Sequence, residues 1–150
     1  MRFTKILCPV DFSPGSREAL RVAVELVRDS SKALVLAHVS ELLPWSMRGD
    51  FQLSPAISQG IVDSEQAELA RWQVLAKELG AHEVAVRFLT GVPWDQIVTV
   101  ARNDRAIDLI VMGTHGRTGL AHVLLGSVAE KVVRHAPCTV LVVRPEEPRS

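Results

Sequence analysis

Five short apolar runs, separated by stretches with helical spacing, leave this chain of 150 residues few folds to choose from. Phe3 to Val10 reads as a first strand, after which Ser13-Pro14 supplies an N-cap and a proline at the first helical position. Leu20, Ala23, Val24 and Val27 follow at helical spacing, and Ala33 to Val39 reads as a second strand. Ser54-Pro55 repeats the capping signal and opens a helix whose Leu69, Trp72, Leu75, Ala76 and Leu79 form one apolar face before Gly80 ends it. That stripe is core packing. Val84, Val86 and Phe88 alternate as a third strand, and Gly91-Val92-Pro93 turns into a helix carrying Ile97, Val98 and Ala101. Ile107, Leu109, Ile110, Val111 and Met112 form a fourth run closed by Gly113, as expected for a strand covered on both faces. A last helix, from Ser127 to His135, leads through Pro137 to a final strand, Thr139 to Val143. Such alternation predicts parallel strands, right-handed crossovers and helices on both faces, a three-layer α/β sandwich formed as one domain over residues 1–150. Ligands of such sheets bind outside the carboxyl ends of the strands, where the winding reverses.

One connection is unusually long. From Ser40 to Leu53 no period is visible, and Pro44, Ser46, Gly49 and Asp50 mark a loop of a length that is uncommon in compact domains and often functional. Trp45 within it reads either as a flap residue or as a packed one.

Composition excludes several classes. A chain of this length buries about 68–70% of its unfolded surface, enough for a core without metal or disulfide. With 47% apolar residues and a formal charge of zero, nothing electrostatic points to nucleic acid or to an anionic membrane as partner. No signal-peptide pattern opens the chain, and no apolar run approaches the ~20 residues of a membrane helix, so the expected location is the cytoplasm. The two cysteines, Cys8 in the first strand and Cys138 opening the last, read as small buried hydrophobes.

The fourth strand runs into Gly113-x-x-Gly116, then nine residues, then Gly126-Ser127. Small residues let backbone N–H groups approach phosphate oxygens, and Gly126-Ser127 falls where the next helix begins, so backbone donors, a hydroxyl and a helix N-terminus would converge on one anion. Taken singly, each glycine also has a structural reading: Gly113 as a strand end, Gly116 and Gly119 as turn residues with positive φ, Gly126 as a helix start. The spacing is neither the P-loop G-x-x-x-x-G-K-S/T nor G-x-G-x-x-G. His115 and Arg117 lie inside the connection, where each either neutralises phosphate or faces water. His122 forms no recognised metal spacing with His115, and His38, His82 and His135 read as structural or exposed. Asp11 ends the first strand; its carboxylate is suited to a ribose or adenine edge, to a metal, or to an Asx turn before Ser13-Pro14, and the residues alone leave these open.

Taken with Cys8-Pro9-Val10-Asp11-Phe12-Ser13 and His38-Val39, the glycine pattern resembles the universal stress protein (UspA-like) family, in its ATP-binding subgroup. That subgroup's motif, Gly-x2-Gly-x9-Gly-Ser/Thr, is met at Gly113, Gly116, Gly126 and Ser127, and the resemblance covers nearly the whole chain. It implies the strand order 3-2-1-4-5, which sets strands one and four side by side and Asp11 beside Gly113. It also implies ATP, or ADP or AMP, as ligand, together with Mg²⁺. Residues matching Pro9, Val10, Asp11 and Val39 line the base and ribose in the family; those matching Met112, Gly113, His115, Gly116, Gly126, Ser127 and Val128 surround ribose and phosphates, with Arg117 beside them. Ala129 stands where some members carry a hydroxyl, which removes one phosphate contact. The family order further places Thr139 to Val143 at a sheet edge with no internal charge or proline, and implies a homodimer through that strand, the polar tail from Arg144 to Ser150 being too short to cover it.

Catalytic readings fare worse. No G-x-S-x-G elbow flanks Ser127, and the carboxylate pair, strand-three Asp and strand-five Lys of a phosphoacceptor receiver are missing, as are the SGGxDS and HxGH motifs of adenylating enzymes. Glu130 sits beyond the helix start, so no general base is evident near a γ-phosphate. The expectation is a nucleotide-binding stress-response module; the alternatives are a slow Mg-dependent ATPase and a dimeric scaffold with an empty site.

Overall fold

The computed structural model describes residues 3–28, 31–41, 54–114 and 125–146. Among these, strands and helices alternate throughout: β1 (Lys5–Pro9), α1 (Pro14–Val27), β2 (Ala33–Ser40), α2 (Pro55–Glu78), β3 (Glu83–Thr90), α3 (Pro93–Asn103), β4 (Leu109–Gly113), α4 (Ser127–His135) and β5 (Thr139–Val143). Most of the long loop before α2, Trp45 included, lies outside the described residues, as do the last four residues of the tail.

The strands form one sheet in the order β3-β2-β1-β4-β5, every neighbouring pair parallel. Winding runs outward from β1 through β2 to β3, then restarts at β4 on the other flank. Leu7 pairs with Val35 on one side and Ile110 on the other, so β1 and β4 flank the reversal. Successive side chains point to opposite faces of a strand, and the core divides accordingly. Ile6, Cys8, Leu34, Leu36, Leu109 and Val111 pack with Leu20, Ala23 and Val24 of α1 and with Leu69, Trp72 and Ala76 of α2. Leu7, Val35, Ala37, Ile110 and Met112 pack on the other side with Ile97 and Val98 of α3 and with Ala129 and Val132 of α4. These are the three layers expected of a doubly covered sheet.

Both Ser-Pro signals work as read. Ser13 Oγ accepts from Ser16 N–H at 3.1 Å and Ser54 Oγ from Ile57 N–H at 3.2 Å, each cap contributing about 1 kcal/mol. Val84, Val86 and Phe88 alternate along β3 as expected, and Val86 remains 38% exposed because β3 is an edge strand that the helical layer does not fully cover. One expectation needs correction. Cys138 precedes β5 rather than opening it and is only half-buried; the buried-hydrophobe reading holds for Cys8, whose thiol is pushed up to about 12 by burial. No helix among the described residues is long and apolar enough to cross a membrane.

Candidate functional site

The chain leaves β1 through a tightly bonded turn. Asp11 Oδ1 accepts from Ser13 N–H at 3.0 Å and from Ser16 Oγ–H at 2.6 Å, while Asp11 N–H donates to Ser16 Oγ at 3.0 Å. The Asx turn left open by the sequence is therefore formed, and Asp11 has at least one structural task. Asp-x-Ser-x-x-Ser is the signal that would have identified Ser16, since short hydroxyls near a helix start bond to neighbouring backbone and side-chain groups. Phe12, between the two, adopts φ 67, a left-handed conformation rare for a large side chain.

Beside this turn, β4 ends at Gly113. A Cβ placed there would lie 3.0 Å from the carbonyl oxygen of Gly15 in the first turn of α1. Gly113 is thus required for backbone-to-backbone packing of strand on helix, whatever else approaches it. Thr114, buried and unmarked by any motif, links three elements: its N–H donates to Val143 O at 3.1 Å, and its carbonyl accepts from Gly126 N–H at 2.7 Å. That pair of bonds sets the entry to α4 next to the exit from β4 and the end of β5.

α4 begins with Gly126 at the N-cap, a residue with no side chain to supply a capping bond, and Ser127 at its first position is exposed. The first-turn N–H groups of a helix have no intrahelical acceptor, and anions bind there. Glu130, in the same turn, is ion-paired with Arg134.

Among the sequence-predicted residues, Met112, Val39 and Val128 pack into the α3/α4 side of the core, and buried Pro9 follows Leu7 onto the same face. Val10 does not join them. Its side chain packs into the α1/α2 core, so it offers the region only backbone, and its N–H already donates to Ala37 O at 2.8 Å. Gly113, Gly126, Ser127 and Asp11 gather at the carboxyl ends of β1 and β4, the reversal of the sheet. His115, Gly116 and Arg117 lie outside the described residues. No group of three or more His, Cys, Asp or Glu side chains among the described residues is arranged to hold a metal ion.

A groove of about 420 Å³ lies elsewhere, between Phe12 and the first half of α2, lined by Ile57, Ile61, Glu65 and Glu68 among others. It belongs to the α1/α2 side, opposite Met112 and Val128.

Similarities to known proteins fit this geometry. The family model described as Universal stress protein family matches residues 2–144. A universal stress protein of Methanocaldococcus jannaschii is 37% identical over 145 residues, spanning 95% of this chain and 82% of that protein. The solved structure of the hypothetical protein MJ0577 superposes with a TM-score of 0.83 at 26% identity, covering 99% of this chain and all (100%) of that one. A universal stress protein solved in complex with cAMP superposes with a TM-score of 0.72 at 25% identity, covering 97% and 100% of the two chains.

Proposed function

The chain belongs to the universal stress protein family, and from that premise we propose that it binds an adenine nucleotide, ATP or its di- or monophosphate, at the carboxyl ends of β1, β2 and β4. One observation carries the reading: at the reversal of the sheet, the start of α4, with glycine at its N-cap and Ser127 at its first position, is tied by Thr114 to the strand that ends in Gly113. Pro9, Val39, Met112 and Val128 form the apolar wall against which a purine stacks, and the backbone of Val10 and Asp11 borders it. Ser127 Oγ and the first N–H groups of α4 take phosphate, joined by His115, Gly116 and Arg117 from the connection that follows β4. A relative bound to an adenine nucleotide supports the class of ligand.

The donor set fits a Mg²⁺ that travels on the nucleotide. Magnesium keeps several waters and binds substrate phosphates with one or two carboxylates, so it needs no protein cage. Its chemistry when bound is charge neutralisation across the phosphates. The function proposed is binding rather than hydrolysis: Glu130 lies beyond the start of α4, so no general base is evident there among the described residues. The nucleotide then acts as a cytoplasmic signal read through this end of the sheet.

Mg-ATP at one hundred times its Kd stabilises the native state by about 2.7 kcal/mol, which raises the melting temperature by several degrees. Gly126→Val should abolish that rise while circular dichroism stays native. A parent melting curve indifferent to millimolar Mg-ATP would sink the reading, and mass spectrometry of nucleotide co-purified with native protein identifies the ligand.

Assembly belongs to the same proposal. Among the described residues β5 pairs only with β4, and Leu141 is 38% exposed on it, so its other edge has no described partner. A second copy pairing along Thr139 to Val143 would cover it under a two-fold axis. Light scattering should report a dimer for the parent, and monomer or aggregate for Val142→Pro; a monomeric parent at micromolar concentration refutes the assembly.

A further inference from the structure

His38 takes no part in the site just described, yet it is among the most enclosed polar groups in the molecule, 3% exposed. Its Nδ1 lies 2.8 Å from the carbonyl oxygen of Val10, and its Nε2 lies 3.3 Å from Oε2 of Glu65 on α2. A carbonyl oxygen only accepts, so Nδ1 carries a hydrogen. A neutral ring would then point its Nε2 lone pair at a carboxylate that, ionised, also only accepts. The other neutral tautomer moves the conflict to Val10, where a bare Nδ1 would face the carbonyl. With Glu65, 20% exposed, ionised, both contacts are hydrogen bonds at once only when the ring carries two protons, and such charge-assisted bonds are the strong ones.

We propose that His38 is held as an imidazolium between Val10 and Glu65, and that this proton latches α2 onto the β1–α1 turn as a pH-sensitive device. The turn has a reason to need it. Phe12 sits at φ 67, a conformation that costs on the order of 1–3 kcal/mol and persists only where its surroundings over-determine it. Its ring stacks on the His38 ring with centroids 4.3 Å apart and meets Trp72 of α2 edge-on at 5.6 Å. Phe12 in turn separates Asp11 from Ser13, so the latch bears on the turn beside Gly113.

The surrounding charges leave Glu65 as the partner. On α2, Glu68 is bonded to Trp72 Nε1 and to Arg71; on α1, Arg17 lies over the Trp72 ring at 5.6 Å. β1 presents the Val10 carbonyl, β3 presents the Phe88 ring, and Asp11 is bonded to Ser13 and Ser16. The sign follows. The two contacts need both ring protons, so the latch is closed where the ring is protonated and opens as rising pH removes one of them.

Nitrogen-15 NMR of the His38 ring at pH 7.5, without nucleotide, is the direct test. Two protonated ring nitrogens are expected in the parent. A neutral ring with a bare Nε2 overturns the proposal. Glu65→Gln supplies an amide N–H to a bare Nε2 and so satisfies a neutral ring; in that variant the ring should read as neutral, and the fall in melting temperature between pH 6 and pH 9 should shrink by half or more. An unchanged pH slope in Glu65→Gln also defeats it. Both readouts are taken on ligand-free protein, so they stand or fall separately from nucleotide binding.

Discussion

The two ends of the sheet are closed by different chemistry. At the amino end, the Asp108 carboxylate accepts from Thr4 N–H at 2.8 Å, from Thr4 Oγ–H at 3.0 Å and from Lys5 N–H at 3.2 Å. Lys5 Nζ reaches Asp104 at 2.6 Å, and Asp104 also accepts from the Ala106 N–H at 3.1 Å. Side-chain charge thus satisfies backbone donors and fastens β1 to the turn before β4. At the carboxyl end the same two strands are held by backbone approach and short hydroxyls: Gly113 against Gly15, Asp11 with Ser13 and Ser16, and a helix start without a side-chain cap. One end is closed by carboxylates that accept from backbone donors, and the other begins a helix at a glycine that has no side chain to cap it. The nucleotide binding proposed above draws on that asymmetry.

The contrast breaks most severely at Gly113. Gly113→Val drives a branched side chain into the Gly15 backbone, which no rotamer change relieves, and overpacking of this kind costs about 3 kcal/mol, the upper end of its usual range. The midpoint of urea unfolding should fall accordingly and the response to Mg-ATP should vanish with it. A variant of parental stability would show that strand and helix are free to separate there.

Asp108→Asn attacks the opposite end. Replacing a charged acceptor of several hydrogen bonds should cost about 1.5–3 kcal/mol while leaving nucleotide affinity unchanged. Acid sharpens the same point. Burial works to raise the Asp108 carboxyl, but hydrogen bonds from Thr4 and Lys5 outweigh it and hold the group below its ordinary value; the Lys5 ammonium does the same for Asp104. A depressed native value means stability that is present above the unfolded carboxylate range, near ~4, and lost as pH falls through the lower native value. The parent should therefore lose stability steeply on acidification and Asp108→Asn less so; equal acid slopes would remove Asp108 from the account.

Ser127→Ala is the mildest change. Exposed at the first position of α4, Ser127 should contribute within about 0.5 kcal/mol to stability. In calorimetry, loss of one hydroxyl bond to phosphate should weaken Mg-ATP about 2- to 10-fold, the equivalent of roughly 0.5–1.5 kcal/mol. Unaltered affinity would leave phosphate recognition to backbone N–H groups alone.

What could be read from the sequence follows from the range of each interaction. Strand and helix periods, Ser13 and Ser54 as caps, and the Leu69-Trp72-Ala76 stripe are local patterns, and each appears in place. The strand order came from family resemblance, not from any period. Gly113 was legible as a special glycine, but its close neighbour, Gly15, lies almost a hundred residues away and no spacing rule connects them. Asp11 was legible as a turn residue, whereas its division between turn and ligand depends on Ser16. His38 and Glu65 are 27 residues apart on different elements, and only the packing of α2 brings them together. Val86 follows the alternation of its strand, while its exposure is not legible in that pattern, because an edge position is a property of the sheet.

The pairing of β1 with β4 has a consequence in time. β1 is an inner strand of the finished sheet, but the residues that complete its second flank are separated from it by about a hundred positions, as the Thr4–Asp108 bonds record with a separation of 104. A ribosome delivers β1, β2 and β3 long before β4, so the early half of the chain can assemble while one side of β1 still presents unpaired N–H and C=O groups. During that interval the future middle of the sheet is its edge. Asp108 arrives immediately ahead of β4 and bonds to Thr4 and Lys5 at the start of β1, which makes it the first clasp available to align the late strand. Slowed or mis-registered closure in Asp108→Asn would therefore appear as aggregation during synthesis, even at temperatures where the finished variant is stable.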